Sequence, residues 1–428
     1  MEIKISKKKN LTGKVDIPGD KSISHRAIIF SSLAEGKSRI QGFLESEDCL
    51  HTLEAFRKMG INIEKINPGE YTVEGNGLKG LKEPSAVLDC GNSGTCMRIM
   101  TGLLSAQPFY SVLSGDESLR TRPMARIIEP LEKMGAQIWS RQKQQAPLSI
   151  KGQQLQAINY NLPVASAQVK SSLLLGGLFA NGDMTLTEPG FSRDHTERML
   201  ADAGIPLQKD GLTVNLPEGD YALAPLDIEI PGDISSAAFF VAAALLTENS
   251  EIEVNNIGLN PTRSGFLDVV EKMGGQIEVN NRRTSGGEPV ADLRAKSSSL
   301  QGINIKGEII PRLIDEIPII AVLASRASGR TVIRDAEELR VKETDRIEAI
   351  VNELSKLGVK IAEFEDGMII EGPTEFKGGQ KLRSYGDHRI AMSLVVAGLT
   401  SRQPLTIENC DCIRTSFPQF QDLLFSLI

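Results

Sequence analysis

Five times along this chain an amphipathic run ends in a glycine. The pairs are Met59-Gly60, Met134-Gly135, Ala203-Gly204, Met273-Gly274 and Leu357-Gly358. Each glycine fits the left-handed position just past a helix C-terminus. Each is followed by a short strand-like run such as Gln276-Ile-Glu-Val279. Successive glycines are roughly 70–85 residues apart, too far for a solenoid and right for a compact α/β unit. A second recurrence points the same way. Asp16-Ile-Pro-Gly-Asp20 and Glu229-Ile-Pro-Gly-Asp233 are nearly one pentapeptide, and each opens a stretch rich in Ala, Ile, Leu and Ser.

The spacing predicts six units, with first helices beginning near Lys21, Ser93, Ala165, Ile234, Asp315 and His388. In the first unit the pattern predicts helix 23–34, strand 38–43, helix 49–59 and strands 62–65 and 71–74. Three units per half give two similar α/β domains, one of residues 19–229 and the other of residues 1–18 plus 230–428. The polar, Gly-rich stretch 280–289 reads as an exposed loop.

Charged residues fall at corresponding places in these units. Arg122, Arg193, Arg263 and Arg346 all land at the start of a second helix, with Pro123 read as an N1 proline. Lys21, Ser22 and Arg26 open the first unit. Asn92, Ser93, Gly94, Thr95 and Arg98 open the second, and Ser166, Gln168 and Lys170 the third. Asp315 and Glu316 open the fifth, and Asp387, His388 and Arg389 the sixth. The densest cluster is 340–346, where Arg340, Lys342, Glu343, Asp345 and Arg346 precede a helical pattern. Thr344 is read as its N-cap and Asp345 as part of its first turn.

One such helix start is ordinary capping. Many equivalent starts meeting at one end of each domain, with the two ends facing, make a basic cleft for a polyanionic small molecule or for two anions. Arg supplies two-pronged grips for carboxylate and phosphate; Lys21 and Lys342 supply point charges.

The rest of the chain excludes other classes. Net charge is −7 and the pI about 5.4, which argues against general nucleic-acid binding. The start has no apolar core for a secretory signal, and the longest apolar run is far short of a membrane span. Five scattered cysteines fit the reducing cytoplasm. Gly91-Asn-Ser-Gly-Thr95 lacks the spacing of a nucleoside triphosphate loop, and no dinucleotide fingerprint is present. The four histidines show no metal-ligand spacing. No metal and no cofactor are expected.

The ordered set of motifs resembles the 5-enolpyruvylshikimate-3-phosphate (EPSP) synthase family. The matching stretches are Gly19-Asp-Lys-Ser22 with Arg26, Gly91 to Thr95 with Arg98, and Arg122-Pro123. Ser166-Ala-Gln-Val-Lys170, Ser192-Arg-Asp-His-Thr-Glu197 and Asn260-Pro-Thr-Arg263 follow, then Arg340 to Arg346 and Asp387-His-Arg389. Three of these are similar to the signatures of the class II bacterial branch.

The resemblance implies two domains of three βαβαββ units each, an inside-out α/β barrel with helix N-termini facing an interdomain cleft. It implies that phosphoenolpyruvate and shikimate 3-phosphate react by addition and elimination through a tetrahedral intermediate, without metal. It implies Lys21, Gly94, Arg122, Gln168, Arg346 and Arg389 for phosphoenolpyruvate. For shikimate 3-phosphate it implies Lys21, Ser22, Arg26, Ser166, Ala167, Gln168, Arg193, Asp315 and Lys342, with Ala167 acting through its backbone.

The chemistry needs a group that protonates the vinyl carbon and later takes the proton back, and an acceptor for the ring 5-hydroxyl. Glu343 and Asp315 are the candidates, with Lys21 the third catalytic residue. A monomer is the expected state. The family is the target of glyphosate; Gly94 leaves room for that inhibitor, while the class II signatures argue for less sensitivity.

The chain departs from the family pattern at two places. Thr415 stands where some members carry Lys, with Arg414 beside it and pointing the other way if this run is a strand. Ile99 replaces a Pro found in other members. Two alternatives fit the residues less well. The sister enzyme that acts on UDP-N-acetylglucosamine usually has a loop cysteine, which would fall near Glu117, and none is there. A non-catalytic anion binder explains the cations but not Asp315 and Glu343, since carboxylates weaken an anion site unless they move protons.

Overall fold

The computed structural model describes residues 1–142 and 144–428. Its helices are α1 (Lys21–Leu33), α2 (Glu47–Lys58), α3 (Gly94–Ser105), α4 (Ala125–Lys133), α5 (Ala167–Gly177), α6 (His195–Asp202) and α7 (Ile234–Leu246). There follow α8 (Gly265–Lys272), α9 (Ile310–Leu313), α10 (Ile317–Arg326), α11 (Arg346–Lys356), α12 (His388–Gly398) and α13 (Phe420–Ser426).

The chain divides into two compact units. One is Gly19–Ile230 with the tip Ser285–Gly287; the other is Met1–Pro18, Pro231–Thr284 and Glu288–Ile428.

Six sheets repeat one plan. In the first, Asp227–Glu229 pairs in parallel with Glu35–Gln41, which pairs antiparallel with Glu70–Asn76 and then Asn62–Asn67. The fourth has the same order: Thr12–Asp16, Glu251–Gly258, Glu288–Lys296 and Gln276–Ser285. The sixth has three strands, Lys381–Arg383, Leu405–Glu408 and Ile3–Ile5. Early strands thus complete the fourth and sixth sheets, which adjacency along the chain does not suggest.

The first helix of each unit is interior. In α7, a run of Ile, Ala, Phe, Val and Leu, eleven of thirteen residues are buried, as a helix apolar on every side must be. Neighbouring first helices meet closely: a Cβ at Gly102 of α3 would lie 1.9 Å from the carbonyl of Ser172 on α5. Second helices are amphipathic and shield the outside of this packing. The five helix-end glycines all take positive φ, from 85° to 93°.

Both pentapeptides serve one purpose. Asp20 caps α1, accepting from the Ile23 amide at 2.9 Å, and Asp233 caps α7, accepting from the Ser235 amide at 2.8 Å.

Four local expectations are corrected. Asp345, not Thr344, caps α11, accepting from the Glu348 amide at 3.0 Å; a short carboxylate gains from the helix dipole what a hydroxyl does not. Pro123 lies before α4 rather than at its first position, because a 3-10 turn over Leu119–Thr121 takes up the entry. Residues 280–289 are the paired ends of two strands joined at Gly286-Gly287, whose φ values of 53° and 73° suit a tight hairpin turn. Arg414 and Thr415 lie on a 3-10 turn, not a strand: Arg414 is exposed, and the half-buried Thr415 donates its hydroxyl to the Cys412 carbonyl. Ile99 is a core residue of α3, 1% exposed.

Candidate functional site

In the unit that holds α7 to α13, helix beginnings converge on Arg346. It is the first residue of α11 and 1% exposed. Nη2 donates to Glu343 Oε2 at 2.6 Å, Nη1 to Asp315 Oδ1 at 3.2 Å, and Nε to Asp387 Oδ2 at 2.7 Å. Asp387 also caps α12 through its other oxygen, accepting from the Arg389 amide at 2.8 Å. Burial opposes the charge on Arg346, but the carboxylates of Asp387, Glu343 and Asp315 outweigh it and hold the guanidinium protonated well beyond its ordinary range.

Glu343 itself lies outside α11. It meets Arg346 because the chain turns between them, not because they share a helical face.

Arg389 donates from Nη1 to the Asp315 carbonyl at 3.1 Å. Asp315 sits on the 3-10 turn Ile314–Glu316 that leads into α10. Beside it, Glu316 accepts from Ser235 Oγ at the start of α7. Burial pushes the Glu316 carboxyl up, against the pull of Arg389 and Arg263. Arg263 pairs with Asp233 at 3.0 Å and donates to Ser235 Oγ at 2.7 Å. Lys342 Nζ pairs with Glu338 at 3.1 Å, one turn back.

In the other unit the converging starts are those of α1, α3, α5 and α6. Lys21, the first residue of α1, pairs with Asp48. Arg26 is buried: its Nε donates to Thr196 Oγ1 at 2.6 Å, Nη2 to Ser171 Oγ at 2.7 Å and Nη1 to the Ser22 carbonyl at 2.9 Å. It thereby ties α1 to α5 and α6.

Arg122 donates to Asn92 Oδ1 at 2.5 Å. Gln168 accepts from Arg98 Nη1 at 2.7 Å and donates to Thr95 Oγ1 at 3.0 Å. Gly94 opens α3 against this pair of guanidiniums. A Cβ there would be 2.9 Å from Arg98 Nη1 and 3.6 Å from Arg122 Nη1. Ser166 caps α5, and Ala167 is its first residue. Arg193 lies two residues before α6, next to Ser192, which donates to Glu188.

Lys170, 1% exposed, sits between Glu188 and Glu197 at 2.5 and 2.6 Å and pins the segment that carries Arg193 to α5. His25 bridges Thr52 Oγ1 at 2.7 Å and Ser93 Oγ at 3.4 Å. Burial, with Lys21 and Arg26 adding to it, holds its imidazole neutral well below the usual range. Ser93 in turn caps α3.

Within the unit Gly19–Ile230, therefore, Lys21, Ser22, Arg26, Gly94, Arg122, Gln168, Ser166, Ala167 and Arg193 lie at or near helix beginnings linked by shared hydrogen bonds or neighbouring positions. Asp315, Glu343, Arg346 and Arg389 form one hydrogen-bonded group in the other unit. Three pairings carry no signal in the sequence: Asp387 with Arg346, forty-one residues away, Arg98 with Gln168, and Glu316 with Ser235. No period links such positions. The correspondence of Asp20 with Asp233 is the one repeat signal that marks a capping acid in both halves.

The donors at these ends are arginine, lysine, hydroxyl, side-chain amide and backbone groups, and among the described residues no cluster of metal-ligating side chains occurs. The fold class is shared with the enolpyruvyl transferase NikO from Streptomyces tendae, on which the chain superposes with a TM-score of 0.79, covering 99% of this chain and 96% of that one at 18% identity.

The sequence narrows the class. A family profile described as EPSP synthase (3-phosphoshikimate 1-carboxyvinyltransferase) matches residues 5–424, and the chain belongs to that family. EPSP synthase from Acinetobacter baumannii is 46% identical, with a TM-score of 0.90 over all of this chain and 98% of its own. The 3-phosphoshikimate 1-carboxyvinyltransferase of Magnetococcus marinus is 53% identical over 420 residues, 98% of this chain and 94% of its own. That of Bacillus subtilis is 50% identical over 426 residues, 99% of both.

Proposed function

We propose that this protein transfers the enolpyruvyl group of phosphoenolpyruvate to the 5-hydroxyl of shikimate 3-phosphate and releases phosphate. The observation that carries the reading is the Arg346 cluster, in which one buried guanidinium holds both Glu343 and Asp315 at hydrogen-bond distance. Two carboxylates set beside cations at helix beginnings are what proton transfer on anionic substrates requires.

Arg346 and Arg389 take the carboxylate of phosphoenolpyruvate. Its arrival competes with Glu343 and Asp315 for the same donors, which raises the proton affinity of both: Glu343 then carries the proton it has to deliver, and Asp315 is a better base than in the empty site. Asp315 accepts the proton of the 5-hydroxyl as its oxygen attacks C2, while Glu343 delivers a proton to C3. In elimination Glu343 takes a proton back from the methyl group, and phosphate departs with the proton that Asp315 took from the hydroxyl, so both carboxyls return to their starting states. Lys21 and Arg122 stabilise the charge on that phosphate.

Ser22, Arg26, Ser166, Gln168, Arg193 and Lys342, with the Ala167 backbone, hold shikimate 3-phosphate; Gly94 lets phosphoenolpyruvate approach the α3 N-terminus, where backbone N–H groups favour an anion. The substrates are small molecules, nucleic acid has no part, the reaction is assigned to the cytoplasm, and the working state is a monomer.

The test is phosphate release. The protein with shikimate 3-phosphate and phosphoenolpyruvate releases phosphate, and UDP-N-acetylglucosamine in place of shikimate 3-phosphate does not support it. Release with the nucleotide sugar alone overturns the assignment.

A further inference from the structure

Arg389 is shared between two carboxyl groups. Its Nη2 lies 3.8 Å from Asp315 Oδ2 and its Nη1 lies 3.8 Å from Glu316 Oε1. Both distances are beyond hydrogen-bond length, so the guanidinium is committed to neither side chain. The two carboxyls are consecutive on one 3-10 turn but differ in surroundings. The Asp315 side chain is 15% exposed and that of Glu316 is 1% exposed. Glu316 Oε1 accepts from Ser235, while Oε2 is buried with no hydrogen-bond partner. A buried carboxylate with a bare oxygen is costly unless cations face it.

Two do: Arg389 from α12 and Arg263 from the segment before α8, the latter also paired with Asp233 at the start of α7. On the far side of Asp315, Arg346 of α11 brings Glu343 and Asp387.

We propose that Glu316 is a positioning residue that holds a share of Arg389 away from Asp315 and so keeps Asp315 basic enough to accept the substrate hydroxyl proton. This rests on Asp315 being the base of the proposed reaction. Neutralising Glu316 has two consequences. Arg389 closes on Asp315, and the repulsion between neighbouring carboxylates disappears. Both favour ionised Asp315 and lower its proton affinity, and a weaker base removes the hydroxyl proton more slowly.

The experiment is the pH dependence of kcat, read as phosphate release by the full chain with both substrates saturating, for wild type, E316Q and E316D. Urea unfolding of each runs alongside. The acid limb reports the base in the bound complex. E316Q is expected to move that limb down by about half a pH unit or more and to lower the plateau several-fold. E316D keeps the charge and is expected to return the limb toward the wild-type position.

A purely structural role lowers the urea midpoint and leaves the limb in place. That result, or equal shifts in the two variants, overturns the proposal. If E316Q does not fold, E316A is read in its place: a limb lowered in E316A but not in E316D supports the proposal, and a limb unmoved in E316A contradicts it. Wild-type protein that releases no phosphate from these substrates contradicts the proposed reaction instead, before any variant is compared.

Discussion

Arg346 and Glu343 are joined by a hydrogen bond of 2.6 Å although only Arg346 belongs to a helix. The same guanidinium bonds Asp315 and Asp387. One side chain therefore supports three acids from three separate segments, and everything assigned to Asp315 and Glu343 depends on it.

Replacing Arg346 by Met leaves Asp387, whose side chain is fully buried, without its charge partner. Breaking a buried pair from one side costs about 3–5 kcal/mol. Urea unfolding of R346M is expected to show a loss of that order together with loss of turnover. R346K keeps a charge but not the fork that reaches three carboxylates, so it is expected to recover stability better than activity. Recovery of activity by Lys contradicts the need for the fork.

Glu343→Gln keeps the size of the side chain and an oxygen that can face Arg346. It removes the carboxyl proposed to give and take back the proton. Turnover is expected to fall by about 10²–10⁴, while shikimate 3-phosphate binding, followed by calorimetry, is expected to stay within a few-fold of wild type. Loss of binding along with turnover makes Glu343 a structural residue.

Much of this arrangement is legible in the sequence, and the reasons differ by level. The repeat shows because helix-end glycines must take positive φ, a constraint local enough to leave a mark on five of the six units. The positions of Arg122, Arg193, Arg263 and Arg346 follow from the same register. The cap of α11 at Asp345 rather than Thr344 and the strand ends within 280–289 lie where turn chemistry allows two outcomes and tertiary pairing decides. Partners such as Arg346 with Asp387, or Arg98 with Gln168, are set by how helix beginnings converge. Convergence is a property of packing that no spacing encodes.

Gly94→Ala separates stability from binding. Gly94 is the first residue of α3 and carries no positive φ, so alanine is allowed there and stability is expected to change by less than about 1 kcal/mol. The new methyl lies 2.9 Å from Arg98 Nη1 and displaces the guanidinium. KM for phosphoenolpyruvate is expected to rise while the urea midpoint stays near wild type. An unchanged KM removes Gly94 from the site.

His25 gives a signed pH effect. Burial, then Lys21 and Arg26, keep it neutral in the folded protein, whereas in the unfolded chain it titrates near 6.5. As pH falls through 6.5 the unfolded state gains a proton that the folded state does not. Stability therefore falls with falling pH, by up to about 1.4 kcal/mol per unit, until the folded-state value is reached. The unfolding free energy of wild type between pH 7.5 and 5.5 is expected to drop more steeply than that of H25Q. Parallel curves contradict a neutral, buried His25.

The addition–elimination route is tested most directly by running the reaction in heavy water and examining the product's vinyl group. In the proposed route, protonation of C3 from Glu343, rotation of the methyl and return of a proton to the same carboxylate place deuterium on that carbon. Wild-type product is expected to carry deuterium in its methylene. Product formed by wild type with no deuterium there contradicts the route and the part given to Glu343.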